Sequence, residues 1–194
     1  MTFELIASTT LLDVGFLQLD RVDVRAPDGE LLERHVVRHP GAVVVVPVDD
    51  DDHVIMVRQY RAAVGGDLLE VPAGKRDVDG EAPDATARRE LEEEIGCVAG
   101  SLHALCEFYN SPGFTDEYTF LFLATDLQVT ERAAVSAEEA AMEIVRVPLA
   151  SIDELIARRE LVDAKSIIGV LAARAFLSGA SGAHPSSESG APEV

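Results

Sequence analysis

The stretch GKRDVDGEAPDATARRELEEEIGC, residues 74–97, decides both the fold and the chemistry of this chain. Between Glu81 and Glu94 it carries six acidic residues and two arginines. Like charges four residues apart repel along a helix, by about 0.2–0.5 kcal/mol per pair. So acidic a segment indicates a positively charged partner, and a divalent cation would remove the repulsion.

The same stretch predicts a helix over residues 83–95. Pro83 suits the first helical turn, where its missing N–H costs nothing. Gly96 suits the left-handed position at which a chain leaves a helix. Both ends of the helix are therefore marked in the sequence. Inside it, an apolar stripe at i,i+4 spacing can pack on a core; it consists of Ala87, Leu91 and Ile95.

A second face of the predicted helix is acidic. Glu90, Glu93 and Glu94 are three and four residues apart, so they share one side. Arg89 lies at its flank and can orient a carboxylate. Grouped hard oxygen ligands suit Mg²⁺ or Mn²⁺. A solvated acidic face is the plain alternative, and the glycine loop before the helix favours the metal site.

The composition limits the partners. The chain has 194 residues, 47% of them hydrophobic, which allows one domain with a sizeable core and a small addition. The formal charge is −19, from 35 acidic and 16 basic residues. Such a chain repels phosphate backbones, so we expect no nucleic-acid partner. An anionic small molecule would need metal ions or a few placed arginines.

Targeting and redox signals are few. Cys97 and Cys106 lie in apolar contexts and are expected to be reduced, buried thiols. The N-terminus lacks a basic region and a cleavage site, so no signal peptide is expected. No apolar run approaches the ~20 residues of a membrane helix. We therefore expect a cytoplasmic protein with no membrane partner.

Hydrophobic patterning gives the order of elements. Strands are predicted at 16–24, 31–38, 42–48, 54–60, 67–71, 102–108, 118–124 and 143–147. Further helices are predicted at 149–158 and 163–177. Residues 1–13 are a short strand or loose, and residues 130–141 are a loop or a short helix. Residues 178–194 are rich in Ser, Gly, Ala and Pro and are expected to be disordered.

This order predicts a mixed α/β (α+β) fold, because no series of βαβ units supports a doubly wound sheet. We predict an N-terminal β element at 1–40, a main domain at 41–177 and a tail at 178–194. The antiparallel hairpin at 16–38 can hardly bury both faces alone. It is expected to pack on the main domain or on a second subunit.

Residues 74–97 resemble the signature of the Nudix hydrolases. That signature runs glycine, glutamate, Arg-Glu-aliphatic, Glu-Glu and Gly-aliphatic. The matching positions here are Gly74, Glu81, Arg89, Glu90, Leu91, Glu93, Glu94, Gly96 and Cys97. Two departures exist: six residues instead of five separate Gly74 from Glu81, and Cys97 replaces an aliphatic residue.

The resemblance implies a mixed sheet sandwiched between helices, and Mg²⁺- or Mn²⁺-dependent hydrolysis of a nucleoside diphosphate linked to another group. Glu90 and Glu94 would be the main metal ligands, assisted by Glu93 and by the carbonyl of Ala73. Arg89 would hold the glutamates in place. Gly74 would let the backbone approach the metal closely.

Three further features resemble the ADP-ribose pyrophosphatase branch of that family. They are residues 69–75, residues 57–61, and Pro112 sixteen residues after Gly96. This implies hydrolysis of ADP-ribose to AMP and ribose 5-phosphate. The alternatives are another substrate, such as a sugar nucleotide, NADH, FAD or a dinucleoside polyphosphate, and a non-catalytic ligand sensor. A sensor tends to lose metal ligands, which this chain retains.

The resemblance also implies a homodimer in which the N-terminal strands reach the partner's site. Arg38 and Arg61 are candidates for the phosphates or the adenosine half. Glu70 would contact the adenine or a nearby loop, and Gly113 would contribute to substrate binding. The general base of this branch lies on an acidic loop after the signature. Here Glu139 is favoured, with Glu138 second.

Overall fold

The first three strands form a sheet of their own. In the computed structural model, which describes residues 2–132 and 136–179, they are antiparallel in the order β1-β2-β3. Their bounds are β1 Glu4–Asp13, β2 Gln18–Arg25 and β3 Leu31–Arg38. Residues 4–13, for which the sequence left a strand or a loose segment open, form a strand. The predicted hairpin is therefore part of a three-stranded sheet. All ten residues of β1 are exposed.

Two further sheets form the main body. A four-stranded sheet has the order β7-β4-β9-β8, in which β4 and β9 run parallel. A three-stranded antiparallel sheet has the order β10-β5-β6. The bounds are β4 Ala42–Pro47, β5 His53–Arg61, β6 Gly66–Glu70, β7 Ala73–Lys75, β8 Cys97–Tyr109, β9 Tyr118–Val129 and β10 Glu143–Pro148. The predicted mixed α/β architecture is confirmed.

Strand β4 explains why helices cover both faces of the four-stranded sheet. Alternate side chains of a strand point to opposite faces. Val43 and Val45 join one buried cluster, which also holds the apolar stripe of the first helix. Val44 and Val46 join the other cluster, with Val170 of the last helix. The continuous β-branched run predicted this burial on both sides.

The first helix, α1 (Pro83–Ile95), has the predicted bounds. Pro83 stands in its first turn, and Gly96 ends it in the left-handed conformation at φ 62°. Ala87, Leu91 and Ile95 are buried against the sheet. This packing turns the acidic face away from the apolar core.

The remaining helices follow β9. They are α2 Ala137–Ala141, α3 Ile152–Ala157 and α4 Ala164–Leu177, with a 3₁₀ turn at Leu149–Ser151 before α3. Residues 137–141 are therefore helical, one of the two predicted alternatives. A Cβ on Gly169 of α4 would lie 2.9 Å from Cγ2 of Val46, so the helix packs very close to the sheet. The predicted disordered tail lies outside the described residues from 180 onward.

Both cysteines are free thiols, as predicted, although Cys106 is only half-buried. Burial raises the pKa of both thiols. Among the helices of the described residues, none has the length and apolar character needed to span a bilayer.

Candidate active site

A cleft of about 810 Å³ lies over the acidic face of α1. Strand β7, the segment before β4, α2 and the start of α4 also contribute to its lining. Most of the predicted site residues in the cleft are carboxylates. They are Glu90, Glu93, Glu94, Glu138 and Glu139.

Arg89 is the centre of a glutamate cluster. Its Nη1 donates to Oε1 of Glu90 at 2.7 Å and to Oε2 of Glu93 at 3.0 Å. Its Nε and Nη2 donate to the two carboxylate oxygens of Glu81, at 3.3 and 3.2 Å. One guanidinium thus contacts three carboxylates in a fixed fork.

Glu81 reaches this cluster despite the extra residue in the loop before it. A turn absorbs the insertion: the N–H of Glu81 donates to the carbonyl of Val78 at 3.1 Å, and Gly80 adopts φ +74°. The hydroxyl of Thr86 then donates to Glu81 Oε2 at 2.8 Å. Its two partners hold the pKa of Glu81 below its usual range, Arg89 most strongly.

Gly74 lies directly against Glu90. A Cβ built on this glycine would lie 1.9 Å from the carboxylate carbon of Glu90, far inside any van der Waals contact. Any side chain at position 74 would therefore displace Glu90. The backbone at Gly74 thus closely approaches the glutamate, and its expected approach to a metal stays a prediction.

Glu90 and Glu94 are buried carboxylates with perturbed titration. Burial raises the pKa of Glu90 to about 7, assisted by Glu93 and opposed by Arg89. Burial and the neighbouring Glu90 raise the pKa of Glu94 to about 8. The N–H of Ala73 donates to Glu94 Oε2 at 3.1 Å and fixes that carboxylate. Two ionised groups in this position would repel each other, and a cation would relieve the repulsion.

The donor set fits a hard divalent cation. Within residues 2–132 and 136–179, no three His, Cys, Asp or Glu side chains already converge on one point. Glu93 instead turns to Arg89. Mg²⁺ needs no such cage, because it commonly binds one or two carboxylates together with waters and substrate phosphates. Glu90 and Glu94 could supply that pair.

Helix α2 brings two more carboxylates to the cleft. The hydroxyl of Ser136 donates to Glu139 Oε1 at 2.8 Å and accepts from the N–H of Glu139, which caps the helix. The charge of Glu139 contributes to the raised pKa values of both Glu90 and Glu94, so it lies near them. Glu138 is exposed. The carbonyl of Glu139 accepts from Arg132.

Arg61 and Glu70 form an ion pair at the cleft, in which Glu70 is buried and Arg61 is partly exposed. The guanidinium donates through Nε and Nη2 at 2.7 and 2.8 Å. Lys165 joins from α4, with Nζ 2.8 Å from Glu70 and 2.8 Å from Asp163. Burial opposes ionisation of Glu70, yet its cationic partners hold its pKa below the usual range. Sequence reasoning missed Lys165, which only the fold brings beside a residue 95 positions away.

Arg38 and Gly113 lie elsewhere. Arg38 is held by Asp20 at 3.0 Å and by Asp116 at 3.1 Å, and so ties the N-terminal sheet to the loop after β8. Gly113 is an exposed residue of that loop, and a Cβ added to it would meet nothing within 4 Å. Neither belongs to the described cleft lining. Their roles in substrate binding stay predictions.

The N-terminal side of the cleft contains residues that the sequence did not single out. Phe16 lies edge-on to His39, with ring centroids 5.8 Å apart. Lys75 Nζ lies 4.3 Å from the centre of the Phe16 ring. The rings of Phe16 and His39 both line the cleft. An aromatic ring there, nearly half exposed, offers a flat surface to a nucleobase.

The fold and the site together define a class of protein: a mixed α/β hydrolase whose cleft lies over a carboxylate-rich helix. Residues 37–167 match the family model described as NUDIX domain. The chain therefore belongs to the NUDIX family, as its resemblance predicted.

Individual relatives are similar over most of their length. An ADP-ribose pyrophosphatase of Mycobacterium tuberculosis is 42% identical over 177 residues, covering 91% of this chain and 86% of the relative. An ADP-ribose pyrophosphatase of Bacillus subtilis is 42% identical over 148 residues, covering 76% and 80%. A solved structure of an ADP compounds hydrolase superposes with a TM-score of 0.79 at 25% identity, covering 93% of this chain and 96% of that one.

Proposed function

We propose that this protein hydrolyses the pyrophosphate bond of ADP-ribose, giving AMP and ribose 5-phosphate, with Mg²⁺ or Mn²⁺ as cofactor. The observation that carries the proposal is the pair of buried glutamates, Glu90 and Glu94, with Glu90 held against Gly74. The substrate is inferred from two relatives, both ADP-ribose pyrophosphatases and each 42% identical to this chain over the aligned residues.

Glu90 and Glu94 would hold the metal, with Glu93 and the carbonyl of Ala73 as further ligands. When bound, the metal would neutralise phosphate oxygens and activate the attacking water. Arg89 keeps the glutamates in register, because its fork already contacts Glu90 and Glu93. Its third partner, Glu81, fixes the guanidinium from the loop side. Catalysis of this kind depends mainly on positioning and charge.

Glu139 is the proposed general base, which takes a proton from the attacking water. Its support is proximity: its charge acts on both metal-binding glutamates, and Ser136 orients its carboxylate. Glu138 lines the cleft as well and is the second candidate. Mutation distinguishes the two candidates. Glu139→Gln should lower kcat by about 10²-fold or more, and Glu138→Gln should lower it far less. The reverse ranking would assign the base to Glu138.

Arg61 and Phe16 are the proposed substrate contacts, and the buried Glu70 supports Arg61 from behind. Arg61 lines the cleft in a pose fixed by Glu70, which suits a phosphate or the adenosine half. Phe16 would stack on the base. Arg38 and Gly113 are assigned to substrate binding only through the family resemblance.

We further propose that the protein is a cytoplasmic homodimer that binds neither nucleic acid nor a membrane. The exposed first strand, β1, carries Leu5, Ile6, Leu11 and Leu12 into solvent. Apolar side chains grouped in this way mark an interaction surface. The two free thiols are consistent with a reducing compartment.

The test is a phosphate-coupled assay with Mg²⁺ on ADP-ribose, NADH, diadenosine polyphosphates and GDP-mannose. ADP-ribose should have the highest kcat/KM, and chelation by EDTA should abolish turnover reversibly. Glu94→Gln should keep the fold and lose most metal-dependent turnover. A better substrate than ADP-ribose would move the protein to another branch, and full activity in Glu94→Gln would remove the metal assignment.

A further inference from the structure

Gln59 lies in the cleft but has no part in the site described above. It stands on β5 between Val57 and Arg61, and alternation places all three on one face of the strand. Val57 is packed in the cluster beneath α1, and Arg61 lines the cleft. Strand β5 also contacts α1 and α2, the two helices that supply the five cleft glutamates predicted from the sequence. Gln59 is only 8% exposed.

The amide nitrogen of Gln59 has no hydrogen-bond partner. Four side-chain nitrogens in the described residues are buried in this way, and the other three are Nε atoms of arginines outside the cleft lining. A buried donor without an acceptor has lost its water and gained nothing in return. Such a group needs an explanation, and its position in a binding cleft supplies one.

The neighbouring cations explain why a neutral donor stands here. Every Lys and Arg of the described lining is already paired with a carboxylate: Arg61 and Lys165 with Glu70, Arg89 with three glutamates, and Lys75 with Asp77. A cationic side chain at position 59 would form an ion pair with the same carboxylates. A carboxamide donates without forming an ion pair, so its N–H stays available to an incoming acceptor.

We infer that Gln59 contacts the substrate and donates its Nε2–H to a phosphoryl oxygen of the bound nucleoside diphosphate derivative. The inference rests on the proposed function, because the phosphates are the acceptors that the carboxylate-bound metal would bring to this part of the cleft. Gln59 is then a substrate-positioning contact on the strand that also carries Arg61.

Two substitutions of similar size test the contact. Gln59→Leu removes the donor, and Gln59→Glu replaces it with an acceptor and a negative charge. The matched control is Gln128→Leu on β9, at an exposed position outside the cleft lining. The probes are ADP-ribose turnover with Mg²⁺ and calorimetric binding of inorganic pyrophosphate with Mg²⁺.

We expect Gln59→Leu to weaken pyrophosphate binding and raise KM for ADP-ribose by about tenfold or more, the scale of a hydrogen bond to a charged group. Gln59→Glu should lose more, and Gln128→Leu should match the unmodified protein. The melting temperature of Gln59→Leu should not fall, because it removes an unpaired buried donor. A purely structural amide would leave binding unchanged in Gln59→Leu, and that result overturns the inference.

The two proposals can fail separately. If the unmodified protein binds pyrophosphate but does not turn over ADP-ribose, the proposed function fails while loss of binding in Gln59→Leu upholds the contact. If ADP-ribose is hydrolysed with the same KM by Gln59→Leu, the contact fails and the function stands. No pyrophosphate binding by the unmodified protein overturns the contact as well.

Discussion

At the scale of single residues, Gly74 controls the position of Glu90. We predict that Gly74→Ala lowers kcat/KM for the metal-dependent reaction by about 10- to 100-fold, the usual effect of disturbing the support of a metal ligand. The reason is the added Cβ, which would overlap the Glu90 carboxylate at 1.9 Å. Steady-state kinetics over a range of Mg²⁺ concentrations measure it.

The control for this prediction is Gly66→Ala, where nothing lies within 4 Å of the added methyl group. It should keep the activity of the unmodified protein. Equal activity in Gly74→Ala would mean that Glu90 moves without consequence, and would separate this glutamate from metal binding.

The raised pKa values of Glu90 and Glu94, about 7 and about 8, predict a pH-dependent stability. Both exceed the ordinary value of 4.5 for an unfolded glutamate. Between about pH 5 and pH 8 the folded state therefore binds more protons than the unfolded state. The free energy of unfolding of the metal-free protein should fall as pH rises through this window, and Mg²⁺ should reduce the fall.

Thermal unfolding in EDTA and in Mg²⁺ measures this effect. The comparison is with Glu94→Gln, which lacks one ionisable group and should show a shallower fall. His39, whose pKa burial lowers, adds an opposite slope to both proteins, so it cancels from their difference, which reports Glu94 together with its repulsion of Glu90. Parallel profiles in the two proteins would contradict the assigned pKa.

Residue patterns predicted some of these contacts and not others. Glu90 and Glu94 are four residues apart on a helix, so their proximity follows from sequence alone. The link between Arg89 and Glu81 depends on the path of a loop with an extra residue. Lys165 meets Glu70 only because the start of α4 lies against the end of β6, where the N–H of Val71 donates to the hydroxyl of Ser166. The unpaired amide nitrogen of Gln59 is likewise visible only in the fold. Such facts arise from tertiary packing, which local patterns do not encode.

At the scale of elements, the bounds of a helix could be predicted where the sequence marks both of its ends. Helix α1 has its predicted bounds because Pro83 and Gly96 mark them. Strand β7 was missed because its three residues, Ala73–Lys75, are extended only through pairing with β4. The parallel pairing of β4 with β9 is equally non-local. Strand β8 begins earlier than predicted, since pairing with β9 extends it to Cys97.

The contact of α4 with the sheet gives a prediction at this scale. Gly169→Val should lower the free energy of unfolding by about 1–3 kcal/mol, the usual cost of overpacking a close-fitting core. The cause is the space at Gly169, where a Cβ would lie 2.9 Å from Val46 and 3.2 Å from Leu121. Urea denaturation measures it. Leu171→Val, at a partly exposed position of α4, controls for a β-branched side chain in the helix and should change stability much less.

At the scale of the whole molecule, the N-terminal part contacts the main body through the loop after β8 and through Phe16 against Lys75. Strand β3 contacts the loop after β8: the N–H of Val37 donates to the carbonyl of Phe114 at 2.8 Å, and Arg38 bridges Asp20 and Asp116. The far strand, β1, is exposed along its whole length. A sheet so placed has surface to offer a second subunit, and its strand β1 presents an unpaired edge.

We therefore predict a homodimer held through β1. Sedimentation should give a mass about twice the 20.8 kDa of one chain, and Leu5→Asp with Leu11→Asp should halve it. Both leucines are at least half exposed in one chain, so buried charge at an interface, not loss of the monomer core, would cause the change. Val129→Asp, an exposed apolar residue of β9, should leave the dimer intact. A monomeric unmodified protein at micromolar concentration would contradict the assembly, and it would also remove the partner's site that the N-terminal strands were expected to reach.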